Sequence, residues 1–171
     1  GVDGVGRGSP VGIAFYYHNA YPEEFQGALF LGDWSRGRIR VIFPERDGAT
    51  YRGETDDFIV GEPLAVTDMD VGPDGNLYFT VGGRNTTGGF YRVRYTGDDV
   101  PAVPDGSAID DVVRQPMPRS AWGKLAVANA KASLGDAWET GLTDAVFDGA
   151  LPTNERLRAL EALQLHGPEP D

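Results

Sequence analysis

The sequence predicts a β-then-α chain: two small antiparallel sheets of four strands each, followed by a short helical-repeat segment. Three observations predict it. The first 97 residues are cut by Gly and Pro into short β-rich runs, two stretches of that half repeat one pattern, and the residues after Ser120 change to helical spacing. Residues 1–97 are the β part in this reading, 98–118 a linker and 119–171 the helical part.

The β-rich runs are Val11–Tyr17, Ala28–Leu31, Arg38–Phe43, Leu77–Val81 and Phe90–Tyr95. The last alternates apolar and charged side chains, the period-two signature of a strand with one buried face. Gly27-Ala28-Leu29-Phe30-Leu31-Gly32-Asp33-Trp34-Ser35-Arg36-Gly37-Arg38-Ile39-Arg40-Val41 lies over Gly75-Asn76-Leu77-Tyr78-Phe79-Thr80-Val81-Gly82-Gly83-Arg84, continued by Gly89-Phe90-Tyr91-Arg92-Val93. Each is a turn glycine, an apolar strand, a Gly/Arg turn and a second apolar strand. The offset of about 48 residues falls in the roughly 40–50-residue range of β-propeller blades. Ser9–Phe15 and Val66–Val71 are the expected innermost strands, and Pro73-Asp74-Gly75-Asn76 is the expected turn out of the second. Two blades cannot close a ring and exposed edges are costly, so this partial propeller is expected to have further blades upstream. A free-standing small sheet or sandwich is the alternative.

The stretch from Thr96 to Pro118 is rich in Asp, Pro and Gly and has no apolar period, which reads as linker. Ser120 caps an expected helix that runs to Leu134 and stops at Gly135. Asp136-Ala137-Trp138-Glu139 has capping-box spacing for a second helix. Thr153 or Asn154 caps a third, with Leu157, Leu160, Ala162 and Leu163 on one face before Gly167-Pro168. Such stripes suit the start of a stacked helix-pair array, or a small cap packed on the β half.

Composition removes several classes of function. The net charge is −11 and the only lysines are Lys124 and Lys131, which leaves no basic surface for nucleic acid or an anionic membrane. No apolar run approaches the roughly 20 residues of a membrane span. With no cysteine, this segment has no disulfide, thiolate metal site or Cys-x-x-Cys-His haem attachment. No charged-then-apolar signal segment opens the chain, which begins at Gly1 without a methionine and so leaves room for a leader removed with everything upstream.

The run from Thr67 through Pro73-Asp74-Gly75-Asn76-Leu77-Tyr78 to Gly82-Gly83-Arg84, ending Gly89-Phe90-Tyr91-Arg92-Val93, resembles the terminal blade of glucose/sorbosone dehydrogenase-like propellers. Ser9-Pro10-Val11-Gly12, Tyr21-Pro22, Phe25-Gln26-Gly27-Ala28-Leu29-Phe30 and Asp33-Trp34 resemble the preceding blade. The Pro-Asp-Gly-x-Leu-Tyr turn is common to many propellers, whereas the Gly-Gly-Arg loop followed by Gly-Gly-x-Tyr-Arg is narrower. Pro118–Gly123 and Leu160–Gly167 are similar to the start of HEAT-like repeats. Together these resemble large secreted or periplasmic dehydrogenases in which propeller, HEAT repeats and a c-type cytochrome domain follow in order. The resemblance implies oxidation of a sugar or alcohol on one face of the propeller, with pyrroloquinoline quinone (PQQ) and Ca2+ as cofactors and haem on a separate domain. It implies as partners the remaining blades and helical repeats of the parent chain.

In a propeller the loops entering the innermost strand and those joining the second strand to the third lie on the ligand side. That rule selects Arg7-Gly8-Ser9, Asp33–Arg36, Glu62–Asp68 and Arg84–Thr87, and sends His18 and Asp74 to the opposite face. Arg84, flanked by glycines, suits the carboxylates of such a quinone through its planar fork, or pairs with Asp68 or Asp33 to tie the blades. Arg36, Asn85 and Thr86 belong to the same expected cofactor platform. Trp34 stacks on a sugar or quinone ring, or packs between blades. Asp33 and Asp68 offer hard oxygens to Ca2+, or cap turns. His18 has the chemistry of a general base but the wrong face, and His166 satisfies terminal helix carbonyls. The family's catalytic histidine belongs to an earlier blade, so this piece is expected to be inactive alone. The rival reading is a non-catalytic propeller-solenoid module that binds carbohydrate or protein.

Overall fold

The computed structural model describes residues 7–83, 85–102 and 106–167, without the side chain of Thr86. The chain divides into two compact units, Gly1–Ala102 and Val103–Asp171. The first is all-β and the second all-α.

In the β unit, β1 (Pro10–Phe15), β2 (Leu29–Asp33), β3 (Arg38–Asp47) and β4 (Thr50–Val60) form one antiparallel sheet in chain order. Asp33 stands opposite Arg38 across the tight Trp34–Gly37 turn, and Asp47 opposite Thr50 across Gly48-Ala49. Strands β3 and β4 run on beyond the end of β2, whose pairing stops at Leu29 and Ile42. Pro44 falls in that two-stranded extension, where its missing N–H breaks no pairing to β2.

The second sheet holds β5 (Val66–Val71), β6 (Leu77–Gly83) and β7 (Thr86–Val93), again antiparallel and in order. The expected turn at Pro73–Asn76 is formed: the Gly75 N–H donates to the Gly72 carbonyl at 2.9 Å, and Asp74 accepts from the Asn76 backbone and side chain. Four strands were expected and three are present among the described residues. After β7 the chain meets Gly97, two consecutive aspartates and Pro101, none of which favours a ladder. The repeat is otherwise kept: Leu29 and Leu77 open β2 and β6, and Arg38 and Thr86 open β3 and β7.

The two sheets meet through β1 and β5. Gly12, at φ 63° in a bulge of β1, has no side chain because a Cβ there would stand 2.8 Å from the Asp68 Cα. Around that contact Phe30, Ile39, Val66, Val71 and Leu77 are fully buried, each worth about 1.5–3 kcal/mol of apolar transfer. Phe30 packs on the rings of Tyr16, Tyr21, Phe25 and Phe58 at centroid distances of 4.8–6.5 Å.

The helical unit contains α1 (Ala108–Val113), α2 (Ala121–Leu134), α3 (Ala137–Phe147) and α4 (Thr153–His166). Helix α1 corrects the linker expectation for 98–118. It is too short to show a period, and it stands on a Ser107/Asp110 capping box and on the burial of Val112 and Val113. Ser120 caps α2 by accepting from the Gly123 N–H at 2.9 Å, and Gly135 ends it, as expected. The capping box expected at Asp136 is not made, because Asp136 is already helical and the Trp138 N–H bonds the Gly135 carbonyl. Neither Thr153 nor Asn154 caps α4, which starts from Pro152.

The expected face of α4 is corrected in part: Leu157 and Leu160 are exposed, whereas Ala162 is buried in the core beside Ala159 and Leu163 packs against it. Bulk comes from the other side, where Trp138 and Leu142 are fully buried and leave room for small side chains. His166 packs edge-on to Trp138, and its carbonyl is satisfied by Lys131, so the lysine holds the terminal-carbonyl role expected of His166. No helix among the described residues is long and apolar enough to cross a membrane.

Candidate functional site

Strand direction brings five segments to one end of the two sheets: the entry to β1, the β2–β3 turn, the exit from β4, the entry to β5 and the β6–β7 turn. They are stitched by backbone bonds. The Trp34 N–H donates to the Ser9 carbonyl, Gly61 to Gly37, and Gly82 to Ala65, at 2.9–3.0 Å. His18 and Asp74 lie at the other end, beside the turn at Gly75.

Trp34 connects the sheets at this end. Its indole N–H donates to the Gly82 carbonyl at 2.8 Å, and its ring covers Gly83, where a Cβ would stand 2.9 Å from the indole. Gly82 is the residue that the internal repeat sets opposite Trp34, so the indole is received by its own counterpart in the next sheet. The ring is 38% exposed on its other side. It therefore packs between the sheets and still offers a surface to a planar ligand.

Asp33 is buried and engaged. Its Oδ1 accepts from the Ser9 N–H and the Ser35 hydroxyl, both at 3.0 Å, and Oδ2 stands 3.6 Å from the Arg38 Nε. Burial pushes its pKa up, but the bonds from Ser9, Ser35 and Arg36 and the Arg38 charge outweigh burial and hold it below the usual carboxylate range. A carboxylate with these partners is a turn-locking group. The Asp68 Oδ1 accepts from the Met69 N–H at 2.9 Å within its own sheet, and Asp68 is exposed. Among the described residues the two aspartates share no hydrogen-bond or ion-pair partner, and no group of three or more His, Cys, Asp or Glu able to hold a metal occurs. The donor set does not fit Ca2+ at this end.

Arg36 is exposed, with its Nε donating to the Arg7 carbonyl at 2.6 Å. Asn85 sits at φ 62° in the β6–β7 turn, a left-handed position that Asn tolerates. Thr86 pairs with Gly83 in register, and Arg84 lies outside the described residues. A groove of about 540 Å³ opens beside these segments, lined by Trp34, Ser35, Arg36, Gly61, Pro63 and Leu64. Sequence reasoning overlooked Arg38, although its signal was present: Asp33 and Arg38 flank a four-residue turn and are thereby cross-strand neighbours.

The opposite end holds a clamp that sequence reasoning also missed. The 13-residue loop from Tyr16 to Ala28 reaches from the first sheet over the short turn of the second. The Tyr16 hydroxyl donates to the Gly75 carbonyl at 3.0 Å; the Tyr21 hydroxyl accepts from the Leu77 N–H at 3.0 Å and donates to the Val93 carbonyl at 2.7 Å. Their rings stack at 4.6 Å. Burial raises both phenols, Tyr21 to about 12. Burial likewise lowers the pKa of His18, against the opposing pull of the Pro73 backbone and Asp74.

No family model matches the chain, and no curated protein matches it. Solved structures similar to part of it include a glucose dehydrogenase at 19% identity and TM-score 0.43, covering 52% of this chain and 24% of that one. A second glucose dehydrogenase is 20% identical at TM-score 0.43, over 52% of this chain and 26% of that one. A putative oxidoreductase (glucose dehydrogenase) from Thermus thermophilus is 19% identical at TM-score 0.39, over 50% and 25%. The chain thus spans about a quarter of the length of the structures it matches.

Proposed function

We propose that this chain is two neighbouring propeller blades, with the first helices of a HEAT-like segment, from a secreted or periplasmic quinone-dependent sugar or alcohol dehydrogenase that passes electrons to a haem domain. The Trp34 end is its share of the cofactor platform. One observation carries the reading: the described residues of the four loops selected as ligand-side lie at one end of the paired sheets, beside a groove lined by Trp34, Arg36 and Glu62. PQQ, when bound, supplies the hydride acceptor. The chain's own contribution is to hold it: the Arg36 guanidinium pairs with carboxylates, Arg84 is the second fork expected from the sequence, and the outer face of Trp34 stacks on the ring system. Glu62 is a carboxylate in the groove lining, and by the resemblance the catalytic histidine belongs to an earlier blade.

Quinone titration into the 171-residue chain, followed by tryptophan quenching, tests this. Binding is expected to be weak, lost in Arg36→Ala, and unaccompanied by sugar oxidation when Ca2+ is added. Turnover by the chain alone refutes the partial-platform reading. The second reading, a non-catalytic carbohydrate-binding module, is favoured by the half-open Trp34 ring, a stacking surface for a sugar. Binding of free saccharide with no binding of quinone selects it.

A further inference from the structure

The loop between β1 and β2 grips the second sheet with more than its two tyrosines. His18 lies in that loop, part-buried, against the turn that joins β5 to β6. A Cβ added to Gly75 of that turn would collide with the imidazole Nδ1 and with the Ala20 methyl. The carbonyl of the same glycine accepts from the Tyr16 hydroxyl at 3.0 Å. One turn residue is thus held by two side chains of the loop, and its φ of 74° also favours glycine.

This contact suits a neutral ring. Nδ1 accepts from the Asn19 backbone N–H at 2.9 Å and so carries no hydrogen, while the Gln26 amide donates to the His18 carbonyl at 2.5 Å and fixes the backbone there. A proton added at Nδ1 would meet the Asn19 N–H hydrogen against hydrogen. Asp74 is the charged group that acts on the ring from the second sheet; it draws a proton in, as the Pro73 carbonyl does, and burial outweighs both. The pull of Asp74 is shared, because its carboxylate accepts from Asn76 and Tyr78 and stands 3.7 Å from Arg92. Within the loop, Glu23 and Glu24 are exposed, and the Tyr16 and Tyr21 phenols, raised by burial, stay neutral at acid pH.

We propose that His18 is an acid-sensitive latch: while Nδ1 is bare, the loop from Tyr16 to Ala28 stays seated on the Pro73–Asn76 turn, and protonation of the ring releases it. Release begins at the imidazole and spreads to the bonds beside it, Tyr16 to Gly75 and then Tyr21 to Leu77 and Val93. The sheets lose their hold at this end, and the bond from Trp34 to Gly82 at the other end stays made. The latch depends on no ligand of the groove, so it stands or falls apart from the cofactor reading.

The test is amide exchange of the 171-residue chain between pH 7.5 and 5.5, corrected for the intrinsic pH dependence of exchange, together with the ring nitrogen shifts of His18. Below pH 6.5 the protection of the Leu77 and Gly27 amides, which bond to Tyr21 and Tyr16, is expected to fall by up to about tenfold per pH unit, the limit for one proton. At pH 5.5 their exchange is expected to respond little to added urea, the sign of a local opening, whereas the amides between β2 and β3 follow global unfolding. His18→Gln is expected to hold Leu77 protection level across the range, and His166→Gln, in the helical unit, to leave the fall as it is. A fall that persists in His18→Gln overturns the proposal, as does wild-type protection that ignores pH. Urea dependence at Leu77 equal to that between β2 and β3 makes the release global and overturns the latch. Should His18→Gln not fold, the wild-type ring decides: a proton on Nδ1 at pH 7.5, or titration of His18 at or above pH 6.5, overturns it as well.

Discussion

The two ends of the inter-sheet contact are built on opposite principles. At the Tyr16 end, two buried phenols complete three hydrogen bonds to the backbone of the second sheet, and the surrounding rings close over them. At the Trp34 end an indole N–H crosses between sheets, its ring stays partly open, and a groove remains beside it. Cohesion is concentrated at the Tyr16 end, and the Trp34 end keeps an open groove. The lesson is that the strongest packing in a two-sheet unit marks the end to set aside when a binding site is sought.

Substitutions at the two ends sharpen or break this contrast. The largest effect is expected from Tyr21→Ala, which empties a fully packed site and costs about 3–5 kcal/mol in urea unfolding of the β unit. Tyr21→Phe leaves the Leu77 N–H and the Val93 carbonyl without their shared partner, for a loss of about 1–3 kcal/mol. If either variant unfolds at the wild-type urea midpoint, the clamp is not where cohesion resides.

Asp33→Asn comes next, at about 1–2 kcal/mol, because the amide keeps one acceptor but loses the charge that Arg38 faces. The folded carboxyl lies below its ordinary value of 3.8, so its stabilisation is present above that value and is lost as pH falls through the lower folded pKa. The acid limb of a stability-against-pH curve is expected to flatten in this variant, and an unchanged limb removes Asp33 from the account.

His18 shows the reverse pattern at the clamp end. Its folded pKa is below 6.5, so the unfolded chain binds the proton first, and stability declines as pH drops below 6.5. His18→Gln is expected to remove that decline, which thermal unfolding at pH 7.5 and pH 5.5 would reveal. The smallest effect on stability belongs to Trp34→Phe, about 0.5–1 kcal/mol for one partly exposed hydrogen bond. Quinone or saccharide binding in the groove should fall far more than stability does, and equal losses would make Trp34 a staple and nothing else.

Much of the β unit was legible because apolar runs and turn residues carry it. Leu29–Leu31 and Leu77–Val81 alternate around buried Phe30 and Phe79, and Gly75 and Gly82-Gly83 punctuate the repeat. Strand β4 was not individually visible: Thr50-Tyr51-Arg52-Gly53-Glu54-Thr55-Asp56-Asp57 has no apolar period, and its place comes from pairing with β3 and from the Arg38 and Arg40 charges. In α4 the leucines misled because large side chains advertise a face, whereas the neighbouring Trp138 makes small alanines the ones that fit. Within the site, the loops could be chosen from strand direction alone. The engagement of Asp33 could not, since it depends on Ser9 arriving from 24 residues away. Tyr16 and Tyr21 looked like ordinary members of an aromatic-rich loop, and only the tertiary meeting with Gly75, Leu77 and Val93 gives their hydroxyls a purpose.

The bond from Trp34 to Gly82 gives the tandem arrangement a polarity. The hook points from the first sheet to the second, and the second sheet carries a glycine where the first carries the indole. An engineer who duplicates residues 10–65 adds a unit already equipped to grip its successor. Duplicating 66–93 adds a unit that can be gripped but grips nothing, unless an indole is grafted at Gly82.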